Sequence, residues 1–210
     1  MIRNVILDIG DVLVRSNFER FFKKQGYDDA MVRRLTKATF LSPAWRELDR
    51  EVWSMQEVMD AFIRNDPGIE DALRSVFRNT EGVVTRFPYA ESWIRSLKAS
   101  GLEVYCLSNL SGLIYDGCVR ELDFLGMVDG YILSWREKLA KPDPAIYQLL
   151  LGRFGLQAEE CIYIDDAEIN VKAAEQLGMR GIVFRSLPET QRTMQCILNR
   201  NEAEESRNEP

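Results

Sequence analysis

Four short segments set reactive side chains just past runs that read as buried β-strands: VILDIGDVL with Asp8, VYCLSNL with Ser108 and Asn109, AKPDPAIY with Lys141, and CIYIDDAEIN with Asp165 and Asp166. An aspartate at a strand end, followed by a glycine that lets the chain turn, presents its carboxylate to a crevice. There it would attack phosphorus and form an aspartyl-phosphate; the bland alternative is a carboxylate that caps the next turn. Ser108 and Asn109 offer a hydroxyl and backbone N–H groups to phosphate oxygens, and Ser-Asn is equally an ordinary turn pair. Two prolines restrict the backbone around Lys141, so a pre-set ammonium there would hold the phosphate and stabilise transition-state charge; the alternative is a solvated surface lysine. Asp165 and Asp166 beside Asp8 repel it: at ~4 Å and an effective dielectric near ~20, each pair costs on the order of 4 kcal/mol. A bound cation removes that cost, and all-oxygen ligands favour Mg2+. The alternative for the acid pair is a cap on the helix that starts near Glu168.

Composition narrows the chemistry. The 210 residues include no histidine, which excludes His-centred triads and the common zinc sites. A net charge of -6 argues against a nucleic-acid partner, whose binding rests on neutralised phosphates. No apolar run is long enough to span a bilayer, and Met1 leads almost directly into a strand-like run without a signal-peptide pattern. A cytoplasmic protein with no membrane partner is therefore expected. Cys106, Cys118, Cys161 and Cys196 have no CxxC spacing and are expected to be reduced, buried small hydrophobes.

The elements that must position these groups are short apolar runs at 5–8, 103–108, 130–133, 161–165 and 181–184. Helical patterns lie between them at 90–100, 113–122, 145–154 and 168–177. Strands alternating with helices predict an α/β core with a parallel sheet covered on both faces. Ligands of such sheets bind beyond the carboxyl ends of the strands, where Asp8, Ser108 and Asp165 fall. Residues 15–86 carry helical patterns and almost no strand, so they read as an inserted α-helical cap. Residues 1–14 and 87–198 would form the catalytic core, and the polar tail, 199–210, is expected to lack structure.

The four motifs, in this order, resemble the haloacid dehalogenase superfamily, in the group whose helical cap follows the first motif. The likeness runs from about Val5 to Phe184. It implies a Rossmann-like core and a Mg2+-dependent phosphatase that passes through an aspartyl-phosphate. Carried over by position, Asp8 is the nucleophile, Ser108 and Asn109 bind phosphate, and Lys141 is the motif lysine. Asp165 and Asp166 form the metal-binding acid pair, with Asp8 and the Gly10 carbonyl as the other metal contacts. DIGDVLV, SPAWRELDREVWS and IDDAEIN most resemble small sugar-phosphate phosphatases. The expected partner is a small phosphorylated metabolite, a sugar phosphate for preference, handled by a monomer or weak homodimer. Trp45 and Arg46, in the cap, could stack on and hydrogen-bond a sugar-sized group or simply pack in the cap.

One position departs from the family pattern. A second aspartate usually stands two residues after the nucleophile and moves protons to the leaving group and from water; here it is Gly10. Proton transfer of this kind is worth ~10²- to 10⁴-fold in rate. Three expectations follow: turnover that depends steeply on leaving-group acidity, a cap carboxylate such as Glu47 or Asp49 that swings in, or a catalytically weak module that binds a ligand or partner. Asp11 would substitute only if its turn aimed it inward.

Overall fold

The computed structural model describes the backbone of residues 1–208 and the side chains of residues 1–199. From the N-terminus, β1 (Asn4–Leu7) and β2 (Val14–Ser16) are followed by α1 (Phe18–Lys24), α2 (Asp29–Ala38), α3 (Ala44–Arg50), α4 (Met55–Asn65), α5 (Glu70–Val76) and β3 (Val84–Arg86). The chain then alternates through α6 (Ala90–Ala99), β4 (Glu103–Ser108), α7 (Gly112–Gly117), β5 (Gly130–Leu133), α8 (Ser134–Glu137) and α9 (Pro144–Phe154). It closes with β6 (Cys161–Asp165), α10 (Glu168–Glu175), β7 (Arg180–Val183) and α11 (Leu187–Asn208).

Five strands form one parallel sheet in the order β5-β4-β1-β6-β7. Alternate residues of a strand point to opposite faces, and the core divides accordingly. Val5, Leu7, Val104, Cys106, Ile162 and Ile164 pack on one side, Ile6, Tyr105, Leu107 and Tyr163 on the other. Both faces are covered, which is why these strands read as continuous apolar runs. The fold is the α/β class that the alternation predicted. β1 lies between β4 and β6 with Leu7 opposite both Cys106 and Ile164, so Asp8, Ser108 and Asp165 emerge side by side at the carboxyl edge.

The helical segment between β2 and β3 shares one continuous apolar cluster with the first of these faces: Phe22, Leu35, Phe62 and Leu73 belong to it together with Val5 and Leu7. α2 is capped by Asp28, which accepts from the Met31 N–H at 2.8 Å. α4 opens on a reciprocal Ser54–Glu57 capping box. β2 and β3 themselves were not expected. They pair antiparallel, Val14 opposite Arg86 and Ser16 opposite Val84, and so close the two ends of the helical segment α1–α5 against each other.

Two stretches differ from the sequence reading. The helix expected over 113–122 ends at Gly117, where the backbone lies against Thr80, and continues as a 3₁₀ stretch, Val119–Met127. The tail expected to lack structure continues α11 to Asn208. Glutamate, alanine and arginine there are good helix formers that need no apolar face to hold the backbone. Glu209 and Pro210, the rest of that expectation, lie outside the described residues. No helix among the described residues is long and apolar enough to cross a membrane.

Candidate active site

The end of β1 carries Asp8, which is 7 % exposed. Its Oδ1 accepts from the Ile9 N–H at 2.6 Å and lies 2.9 Å from Lys141 Nζ. The Ser108 hydroxyl donates to the same carboxyl group. Burial pushes the Asp8 carboxyl up to about 7 against the pull of Lys141, and the Asp165 charge adds to the rise.

Lys141 is 3 % exposed and its ammonium has a partner for each of its three protons. These are Asp8 Oδ1, Asp165 Oδ2 at 2.7 Å and the Leu107 carbonyl at 2.9 Å. Burial opposes its charge, but Asp8 and Asp165 outweigh burial and hold the ammonium well above the ordinary lysine range. The side chain of Asn109 fixes the lysine's main chain from both ends: Nδ2 donates to the Lys141 carbonyl at 2.9 Å, and Oδ1 accepts from the Lys141 N–H at 2.8 Å. Any phosphate contact of Asn109 is thereby left to its backbone N–H.

The acid pair, two equivalent letters in the sequence, divides into two roles. Asp165 is completely buried. Its Oδ2 accepts from Lys141 and, at 2.6 Å, from the Tyr163 hydroxyl; its Oδ1 accepts from the Ala167 N–H at 2.8 Å. Asn170 Nδ2 stands 3.1 Å from both oxygens. Burial alone would raise the Asp165 carboxyl, yet Lys141 above all, then Tyr163 and Ala167, keep it below the usual carboxylate range. Asp166 is partly exposed, and burial followed by the charges of Asp165 and Asp11 raises it. Asp8, Asp165 and Asp166 can place one oxygen each within 4.8 Å of one another. This donor set fits a hard divalent cation. Asp165 has its lone pairs engaged by the protein, so Asp8 and Asp166 are the carboxylates free to hold such an ion.

Several groups singled out in the sequence fall elsewhere. Trp45 packs among Phe18, Phe40, Phe62 and Phe77, with ring centroids 4.2–6.3 Å away. The exposed Arg46 makes no contact with Asp8, Lys141 or the acid pair among the described interactions. Arg15 lies over the Phe87 ring at 5.2 Å. Asp11 adopts a left-handed backbone (φ 51°) and turns away from a proton-transfer role, accepting from the Ser16 N–H at 3.0 Å. Gly10 is not imposed by crowding, since a Cβ there would meet nothing within 4 Å. Cys106, Cys118 and Cys161 are buried and unpaired as expected, whereas Cys196, on the final helix, is exposed.

Tyr163 and Asn170 are site residues that the sequence reading missed. Tyr163 sits inside an apolar strand run, where nothing in the sequence reveals which way a hydroxyl points. Asn170 was visible only as a polar residue one turn beyond the acid pair, at the start of α10.

The family model for haloacid dehalogenase-like hydrolases matches residues 2–178. The chain belongs to that family. Among curated relatives of this hydrolase, drimenol cyclase drtB of Aspergillus calidoustus is 27 % identical over 205 residues, covering 94 % of this chain and 37 % of its own length. Sesquiterpene phosphatase astK of Aspergillus oryzae is 33 % identical over 117 residues, covering 55 % of this chain and 58 % of that protein. The hydrolase therefore spans well under two thirds of either relative. A haloacid dehalogenase family enzyme of Bacteroides thetaiotaomicron, solved with magnesium and inorganic phosphate, superposes with a TM-score of 0.65 at 20 % identity, over 89 % of this chain and 96 % of its own. A predicted family hydrolase of Porphyromonas gingivalis gives 0.67 at 23 % identity, over 92 % and 98 %. These two likenesses establish the fold.

Proposed function

We propose that this hydrolase is a Mg2+-dependent phosphatase that acts on a small phosphorylated metabolite through an aspartyl-phosphate on Asp8. The observation that carries the reading is the Asp8 carboxyl itself: Oδ1 is held by Lys141 and the Ile9 N–H, which leaves Oδ2 as the attacking oxygen. As Oδ2 bonds to phosphorus, the bond to the leaving oxygen breaks; water then attacks the same phosphorus and the bond to Asp8 breaks, releasing inorganic phosphate. Ser108 and the backbone beyond it are placed to grip phosphate oxygens, and Lys141 stabilises charge at the nucleophile. Mg2+ held by Asp8 and Asp166, with the Gly10 carbonyl as the family resemblance implies, would neutralise the carboxylates and the phosphate together. Support also comes from relatives named for phosphate chemistry, the sesquiterpene phosphatase and the flavin mononucleotide hydrolase of Arabidopsis thaliana.

The substrate stays at the level of its reacting group. The preference for sugar phosphates rests on the likeness of DIGDVLV, SPAWRELDREVWS and IDDAEIN to small sugar-phosphate phosphatases and on Trp45 and Arg46, and of these Trp45 has its ring packed against four phenylalanines. The test is phosphate release from an aryl phosphate and from a panel of phosphorylated metabolites, hexose phosphates included, with Mg2+ or with chelator. Turnover that chelator abolishes is expected. No turnover of any ester, with Mg2+ present, would favour the alternative of a ligand- or partner-binding module.

Metal affinity should depend on pH in a direction set by Asp8. A protonated Asp8 cannot ligate, and its folded pKa is raised to about 7, so binding must expel a proton below that pH. Mg2+ affinity is therefore expected to rise by up to about tenfold per pH unit on approach to pH 7 and to level off above it. Mg2+ titrations followed by thermal midpoint between pH 5.5 and 8 measure this, and a flat profile would contradict it.

A further inference from the structure

The family's proton-transferring aspartate is absent at Gly10, and the structure supplies another carboxyl to the same crevice from the inserted segment. α3 ends at Arg50, with Glu51 in the left-handed conformation (φ 46°). Three consecutive residues at that end are tied to the core. The Asp49 carbonyl accepts from Ser134 Oγ at 2.6 Å, Arg50 Nε donates to the Lys138 carbonyl at 3.2 Å, and Glu51 Oε1 accepts from the Gly112 N–H at 3.0 Å. Ser134 is completely buried and also takes the Leu110 N–H at 2.9 Å. One hydroxyl thus joins α3 to the loop that follows Ser108 and Asn109. The approach at Gly112 is close enough that a Cβ there would lie 2.3 Å from Glu51 Oε1.

This fastening sets the Asp49 side chain where the charges of both Lys141 and Asp8 act on it. The residue is partly buried, and its carboxyl accepts no hydrogen bond among the described interactions. Glu47, the other candidate acid of α3, is instead engaged by Arg50, 3.4 Å away. An unengaged acid held at the mouth of a nucleophile's crevice has the attributes of a proton carrier. Burial, the largest influence on it, pushes the carboxyl up to about 7; Lys141 opposes the rise and Asp8 adds to it.

Building on the phosphatase reading, we propose that Asp49 is the general acid and base of this enzyme, supplied by the inserted helical segment in place of residue ten. In the first half-reaction the Asp49 carboxyl gives its proton to the leaving oxygen as the bond to phosphorus breaks and Asp8 Oδ2 bonds to phosphorus. In the second, the Asp49 carboxylate takes a proton from water as the water oxygen attacks phosphorus and the bond to Asp8 breaks. The acid is regenerated, and no co-reactant beyond water is consumed.

The experiment compares wild type, Asp49→Asn and Asp49→Glu, with Mg2+, on esters running from p-nitrophenyl phosphate to alkyl phosphates. For Asp49→Asn, kcat on alkyl phosphates should fall by about 10²- to 10⁴-fold with KM little changed. With p-nitrophenyl phosphate it should release one equivalent of nitrophenol in a burst and then stall as the phosphoenzyme. Asp49→Glu should recover part of the alkyl turnover, and Glu47→Gln should behave as wild type. An equal loss on aryl and alkyl esters with raised KM and no nitrophenol burst, or no loss, would overturn the role of Asp49 while leaving the phosphatase reading intact. A wild type that hydrolyses no ester overturns both.

Discussion

Asp8→Asn is expected to lower turnover of every phosphate ester by on the order of 10⁶-fold, the scale seen when a covalent nucleophile is removed, while the fold persists. The geometry makes the substitution unusually clean. Besides Ser108, the groups that hold the carboxyl, Lys141 Nζ and the Ile9 N–H, use Oδ1, which asparagine retains. Only Oδ2, the proposed attacking oxygen, is exchanged for an NH₂ group that cannot form the acyl-phosphate bond. The stability change has a definite sign. Burial raises the folded Asp8 pKa to about 7 from 3.8, so its contribution to stability is full below the lower value and is lost as pH rises through the higher one. Asparagine does not titrate, so without metal the variant should gain on wild type from pH 4 to pH 8. Steady-state rates on p-nitrophenyl phosphate, with thermal midpoints in chelator at pH 5 and 8, measure both. Turnover within about a hundredfold of wild type would mean that water attacks phosphorus directly.

The parts of this site that the sequence displays are those that terminate an apolar strand. Asp8, Ser108 and Asp165 follow runs buried on both faces, and in a parallel sheet such runs end where ligands bind. What a polar residue does after emerging depends on partners that no local pattern encodes. Asp165 and Asp166 are adjacent and chemically identical, and only the positions of Lys141, Tyr163 and Asn170 show that the first is an anchor and the second is free. Trp45 illustrates the reverse error. One turn of helix could turn its ring toward the crevice or into the aromatic cluster, and Phe18 and Phe40 decide for the cluster. β2 and β3 are three residues each, too short for a period-two pattern, and they pair across the two ends of the helical segment, a contact that no local stretch of sequence displays. Asp49 carried the weakest signal: its bond to Ser134 joins residues 85 apart.

Lys141→Met is expected to be the most destabilising substitution in the site, by about 3–5 kcal/mol, the cost of stripping a buried charge of its partner. The lysine leaves behind two carboxyls, and they respond differently. Asp8 is already inclined to bind a proton, so its loss of a partner is modest. Asp165 is completely buried, and without Lys141 only the Tyr163 and Asn170 side chains and the Ala167 N–H remain to hold its charge. In wild type its folded pKa is lowered, which stabilises the protein above the unfolded value and is lost as pH falls through the folded one. With Lys141 gone, burial dominates and the direction reverses: the folded pKa rises, and stability is present in acid and lost as pH increases. The gap between variant and wild type should therefore be wider at pH 8 than at pH 5, as read from urea midpoints. An uncharged partner at Leu107 or a looser site would give a deficit independent of pH. Turnover should fall as well, by on the order of 10²-fold or more, because the same ammonium that holds Asp165 also sets Asp8 Oδ1 and so the direction in which Oδ2 faces phosphorus.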